Sequence, residues 1–339
     1  MRISRPAAAV LVAAFVIAAG PAPARADGGN VTWTVRTASN SFGADRSSFG
    51  YAVNPGGTVR DAMVVANRGR TPLNLAVYTA DGFTTGTGQL DLRNHDSKAT
   101  GVGLWVRAAS ATITVPAGKT AEVPFAVTVP VNGTPGDYVG GIVTSLTQAD
   151  DTASVNVERR LGIRIKLRVA GALTPALAIE QLHVSYTGSL NPFAKGDATV
   201  RYTIRNTGNT MLSARQAVAA AGPFGWFKAS AATVAAPPEL LPGESWPVTV
   251  QVKDVSPAVL LGATPTLTPQ LTDASGTTTS LKTVTVTGHA WAVPWAVVLL
   301  IVLVIAAILL VRRTAAGRKR REDARVQAAV DAALQAREV

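Results

Sequence analysis

The chain has 339 residues, no cysteine, a formal net charge of +11, and 47% hydrophobic against 16% charged residues. That apolar content excludes an intrinsically disordered chain, and the missing thiols exclude a disulfide scaffold or a thiolate zinc site. At about 150 residues per domain the length suggests two domains, while the positive charge raises nucleic acid, an acidic polymer or a membrane surface as partners.

The N-terminus reads as a secretory signal peptide over residues 1–26. Arg2 and Arg5 precede the apolar run Ala7 to Ala19, and Ala24-Arg25-Ala26 supplies a small-residue cleavage site, which puts the mature start at Asp27. From Asn30 to about Gly288 the apolar residues alternate with a period of two, the pattern of strands with one wet face. In one such stretch Val123, Phe125, Val127 and Val129 share a face, opposite Glu122, Pro124, Ala126 and Thr128; Val200 to Arg205 and Trp246 to Val252 repeat the pattern. Turn residues at Asn54-Pro55-Gly56-Gly57, Pro116-Ala117-Gly118, Asn132 to Gly136 and Pro242-Gly243 punctuate these strands. The fold class expected is all-β, with antiparallel sandwiches.

An internal repeat indicates two copies. Val59 to Gly69 parallels Val200 to Gly208, each a strand ending in Asn-x-Gly, and in each copy a Pro/Gly turn later opens a second alternating strand, at Pro116 to Val129 and at Pro242 to Val252. Asn and Gly supply the left-handed backbone that such a corner needs. The alternating strand Leu161 to Val169 stops at Ala-Gly-Ala, which places the boundary near Gly171 to Pro175. Two immunoglobulin-like sandwiches over 27–172 and 173–289 are therefore expected. On the boundary strand Arg164, Lys166 and Arg168 face away from Ile163, Ile165, Leu167 and Val169, and Arg159 and Arg160 come just before. Such a ribbon suits an anionic wall polymer, but a solvated face protecting an edge strand accounts for it more simply.

Little in the sequence points to catalysis. His95, His183 and His289 are far apart, and no nucleophile elbow, H-E-x-x-H helix, P-loop or dinucleotide fingerprint occurs. Asp81, Asp91 and Asp96 share a loop-rich stretch in which a glycosidase pair could form, the remote reading being a wall hydrolase. No enzyme activity, metal or cofactor is expected. Aromatic side chains are the better binding candidates: Tyr51, Phe83 and Trp105 in the first unit, and Phe224, Trp226 and Phe227 beside two turn residues in the second.

Ala290 to Val311 is 22 residues without a charge, about 33 Å as a helix and enough to cross a bilayer once. Trp291 and Trp295 stand at its start as interfacial residues, and Arg312, Arg313, Arg318, Lys319, Arg320 and Arg321 follow it, which makes the 312–339 tail cytoplasmic and the preceding domains extracellular. Val326, Val330 and Leu334 recur every fourth residue, as on an amphipathic helix. Once the signal and the tail are set aside, the exported part holds 21 Lys and Arg against 17 Asp and Glu. An excess of four over some 260 residues removes the main support for nucleic-acid binding.

These residues resemble the WxL-interacting protein family of Gram-positive cell surfaces. The likeness rests on Phe49-Gly50-Tyr51-Ala52-Val53-Asn54-Pro55-Gly56, then Asn67, then Val129-Pro130 and Gly136-Asp137-Tyr138-Val139-Gly140-Gly141-Ile142, in the order of the family's peptidoglycan-binding domain. Asn191 to Asp197, Asn206 to Asn209 and Leu240 to Gly243 occupy the place of its second domain. The resemblance implies a membrane-anchored, non-catalytic surface protein that binds peptidoglycan through the first domain and surface or host proteins through the second, including separate chains that carry WxL domains. A structural spacer or surface-assembly factor without glycan binding is the alternative.

Overall fold

A computed structural model describes residues 32–150, 155–188, 191, 194–273, 277–293 and 295–335; the expected signal peptide and the last four residues of the tail lie outside the described residues. The first sandwich is built from β1 (Trp33–Thr37), β2 (Phe49–Val53), β3 (Thr58–Asn67), β4 (Leu73–Thr84), β5 (Leu90–Leu92), the single helical turn α1 (Val102–Trp105), β6 (Val106–Ala108), β7 (Thr112–Val115), β8 (Thr120–Thr128), β9 (Gly136–Asp150) and β10 (Val155–Val169). One sheet runs β1-β3-β8-β6 and the other β2-β10-β9-β4-β5, with β7 also on β4. The second sandwich comprises β11 (Leu177–Thr187), β12 (Gly196–Asn206), β13 (Ser213–Ala221), β14 (Ala229–Ser230), β15 (Ser245–Val255), β16 (Val259–Thr272), β17 (Thr278–Ser280), β18 (Val284–Thr285) and β19 (Gly288–Ala292). It pairs a β11-β12-β15 sheet with one running β14-β13-β16, in which β17, β18 and β19 all lie on the far side of β16.

Alternation does the sorting. Val123, Phe125 and Val127 of β8 are buried with Phe49, Met63, Val65, Ile142 and Ile165 in one core, and Val200, Tyr202 and Ile204 of β12 are buried with Leu212, Leu240, Leu261 and Leu267 in the other. The protein is thus two tandem immunoglobulin-like β-sandwiches followed by an apolar helix, α2 (Trp295–Gln335).

The repeat seen in the sequence is a pair of equivalent corners. Asn67 is buried, its amide donating to Thr71 O and Val115 O while its side-chain oxygen accepts from Gly69 N. Asn206 does the same with Thr210 O, Leu240 O and Gly208 N, at 2.7, 2.9 and 3.0 Å. Each asparagine thereby staples its own strand end to a chain crossing from the other sheet. Asn206→Ala would strip Thr210 O of its partner and leave Leu240 O and Gly208 N with one bond each, to Leu212 N and Ala176 O, so the urea midpoint of the 32–293 fragment should fall by the equivalent of about 1–3 kcal/mol.

Two expectations are corrected. The basic strand is an edge only in part: from Ile165 to Val169 β10 lies between β9 and β2, because the first strand of the sandwich changes sheets, β1 pairing with β3 while β2 runs parallel to β10 in the register Ile165–Phe49 to Val169–Val53, whereas residues 155–164, Arg164 included, pair with β9 alone. The long helix begins at Trp295, not Ala290: residues 290–292 are the last ladder positions of β19, and Ala292 is buried in the second core. Apolar residues of a final strand and of a following helix merge into one run when read by hydropathy alone.

Candidate functional site

The junction between the sandwiches gathers most of the molecule's polar geometry. β9 enters it at Gly136, whose φ of 145° suits only glycine and whose missing Cβ leaves room for the Asn209 carbonyl oxygen. Asp137 follows. Its buried carboxylate accepts a bidentate pair from Arg168 at 2.6 and 2.9 Å and a third bond from Met211 N at 2.9 Å. Its backbone N–H donates to Asn209 O at 2.7 Å. The hydrogen bond to Asp137, more than the desolvation opposing it, raises the Arg168 pKa above its ordinary value. Asn209 reaches back across, its amide donating to Pro135 O and Ala172 O, both at 2.9 Å, and its oxygen accepting from Thr174 N. On the other flank Glu244, beside the Pro242-Gly243 turn, accepts from Thr84 N at 2.8 Å and Thr84 Oγ1 at 2.5 Å. Lys166 faces Glu239 at 3.5 Å.

Beside this lock lies a groove of about 630 Å³, walled by Thr100, Gly101, Thr134 and Tyr138 from the first sandwich and by Asn209 and Pro242 from the second. Asp81 shapes its rim, its buried carboxylate accepting from Thr100 N at 2.6 Å, Gly103 N at 2.8 Å and Gly101 N at 3.2 Å, which pins the turn that carries α1. That turn can pack so closely because β9 has glycine at 140, where a Cβ would stand 2.6 Å from both Ala80 O and Val102 Cβ. The result sets the half-buried Trp105 ring against Tyr138, with centroids 4.7 Å apart, and the Tyr138 hydroxyl is held by Thr134.

The aromatic candidates fall in four places. Trp105 joins the groove wall through Tyr138. Tyr51 is buried, its hydroxyl donating to Asp61 at 2.6 Å within a network that also holds Arg46 and Asn40. Phe83 lies at the end of β4 under the Arg93 guanidinium, 5.2 Å from its ring centre. Phe224, Trp226 and Phe227 are exposed on a loop of the second sandwich, remote in fold from Trp105. Of the basic ribbon, Lys166 and Arg168 are turned to Glu239 and Asp137, while Arg164 is exposed on the rim of a second groove of about 490 Å³ with Gln89, Lys166 and Glu239. Asp91 pairs with Arg160 at 3.3 Å and Asp96 lies beside His95 in solvent, so neither faces Asp81 as a glycosidase partner would. Among the described residues no three His, Asp or Glu side chains gather as a metal site. Asp137 and Tyr138 stood in the sequence only within the motif that carries the family resemblance and Asn209 only at the end of a corner, none with a role of its own, and Glu244 did not figure at all.

Neither a family model nor a curated protein matches the chain. Among solved structures it is similar to a chain of a chaperone–tip adhesin complex of CFA/I fimbriae biogenesis, at 10% identity, 76% coverage of this chain, 98% of that one and a TM-score of 0.39. It is also similar to the E. coli chaperone DraB, at 11% identity, coverages of 76% and 96% and a TM-score of 0.32. A third similarity is to the Pseudomonas aeruginosa CupB2 chaperone, at 12% identity, coverages of 73% and 98% and a TM-score of 0.30. Similarity at that level attaches no activity to this chain.

Proposed function

We propose that this is a non-catalytic, membrane-anchored protein of the Gram-positive cell surface, related to the WxL-interacting proteins, whose first sandwich contacts peptidoglycan and whose second presents a face to other surface proteins, those bearing WxL domains included. The observation that supports the anchoring is α2: its segment Val297–Ala329 is long and apolar enough to cross a membrane, and every described side chain along it is exposed. With the arginines from Arg312 onward retained inside, the sandwiches stand outside. The Trp105–Tyr138 ring pair on a groove rimmed by Thr100, Thr134 and Asn209 supports glycan contact, since sugars are held by ring faces and hydrogen bonds together. Anchoring keeps the groove at high local concentration near the wall, so a weak contact suffices.

Full-length protein in detergent should co-sediment with purified sacculi, and Trp105→Ala or Tyr138→Ala should weaken binding about tenfold, the equivalent of ~1.4 kcal/mol. Absence of sedimentation above that of an unrelated sandwich protein overturns wall binding. A rigid spacer is the second reading, and the lock of Asp137, Asn209 and Glu244 favours it, because it fixes the two sandwiches whether or not the groove is filled. Unchanged sedimentation in both ring variants would select that reading.

A further inference from the structure

The loop after β13 carries Phe224, 92% exposed, Trp226, 62%, and Phe227, 63%, with the exposed Lys228 next to them. Register places it. Ala221, the last residue of β13, pairs with Gly262 of β16, which pairs in turn with His289 of β19. Beyond that row the three chains leave from the same end of the sheet: β13 into the aromatic loop, β16 back through Val259 and Leu260, and β19 through Trp291 into α2. Neighbouring strands are about 4.8 Å apart, so the loop stands roughly 10 Å to the side of the chain entering the helix. Val259, Leu260 and Trp291 are exposed there as well, and Leu260 pairs with Trp291.

Two further features belong to this end. Phe224, Phe227 and Val259 have φ of 58°, 54° and 48°, left-handed conformations that bulky or β-branched residues take only at an energetic cost. In the loop, that backbone belongs to two of the three exposed rings. The uncharged part of α2, Trp295 to Val311, is 17 residues, about 25 Å, against a hydrocarbon layer of about 30 Å. A span this short draws the sheet end down to the lipid headgroups.

We propose that Phe224, Trp226 and Phe227, together with Trp291 and Trp295, form a foot that seats the second sandwich in the outer interface of the same bilayer its helix crosses, with Lys228 meeting anionic headgroups. Indole and phenyl rings partition to this layer, and lysine beside them gains from negative lipid. The foot rests on the anchoring part of the proposed function and is independent of what the first sandwich binds.

The chain has no cysteine, so single labels can be placed without background. Full-length Phe224→Cys carrying an environment-sensitive fluorophore is reconstituted in vesicles of phosphatidylglycerol and phosphatidylethanolamine, alongside Val131→Cys, whose site in the first sandwich is 86% exposed. Flotation first separates inserted chains from uninserted ones, so a failure of anchoring is read before any label. The foot predicts loss of quenching by aqueous iodide and gain of quenching by shallow nitroxide-labelled lipid at 224, with the reverse at 131. Equal iodide access at the two sites overturns it. Protection at 224 that rises with protein density and shows no lipid quenching also overturns it, because a second copy then covers the rings. As a measurement without labelling, Trp226→Phe should reduce the component of tryptophan emission that brominated lipid quenches, leaving the share of Trp291 and Trp295; an undiminished quenchable component overturns the foot.

Discussion

Asp61→Ala should cost the first sandwich about 3–5 kcal/mol, a large share of the ~5–15 kcal/mol typical of a domain. The carboxylate is buried and accepts from Arg46 at 2.7 Å, Tyr51 Oη at 2.6 Å, Asn40 Nδ2 at 2.6 Å and Ala62 N at 2.7 Å. Arg46 in turn donates to Ala38 O at 2.8 Å and lies 5.3 Å from the Phe49 ring centre, so the one acid organises the whole connection between β1 and β2. Removing it strands a guanidinium whose side chain is only 14% exposed. Tyr51→Phe removes a single donor and should cost about 1–2 kcal/mol. The pH dependence has a definite sign. Burial by itself would raise the Asp61 pKa, but the bonds from Arg46, Tyr51, Ala62 and Asn40 together hold it below the usual carboxylate value. As pH falls through the carboxylate range, the unfolded chain takes up a proton that the folded one resists, so this stabilisation is full above about pH 4 and lost below it. Burial, followed by the bond to Asp61, pushes Tyr51 upward, so its contribution is full below tyrosine's ordinary pKa of about 10 and lost as pH rises beyond it. Urea titrations of the 32–293 fragment at pH 7 and pH 3 check this: the gap between wild type and Asp61→Ala should narrow markedly at the lower pH.

Asp137→Ala should act on the junction and leave both cores intact. It deletes the acceptor of three bonds, two from the partly exposed Arg168 and one from Met211 N, at a cost of about 2–4 kcal/mol. Wild type should unfold in one calorimetric transition, the sandwiches coupled through Asp137, Asn209 and Glu244; the variant should resolve two, with X-ray scattering broadening toward a range of inter-sandwich angles. One unchanged transition would place the coupling in Asn209 and Glu244 instead, and Glu244→Gln, which keeps one acceptor for Thr84, would then be the more damaging change.

What could be read from sequence was local. The Asn67 and Asn206 corners were visible because each asparagine and its glycine are two residues apart, and the buried faces of β8 and β12 because alternation needs no distant partner. That β10 is covered from Ile165 to Val169 left no mark in the sequence, because its neighbour β2 there comes from more than a hundred residues earlier. Tyr51 and Phe224 looked alike as ligand candidates, yet one ring is buried over Asp61 and the other projects into solvent; only the turn residues around Phe224 hinted at the difference. The Asp137–Asn209 lock joins segments some seventy residues apart and left no periodic trace.

The short passage from β19 to α2 has a consequence for height. Only Val293 and Pro294 separate Ala292 from Trp295, and two residues of even a fully flexible tether would allow play of about 8 Å. Under the proposed anchoring, with so little slack below and a hydrogen-bonded joint above, the groove near Trp105 would be carried at a nearly constant level over the membrane and sweep a thin shell instead of a volume. On that proposal a polymer lying at that level would be met continuously, and one a few nanometres further out would not be met at all.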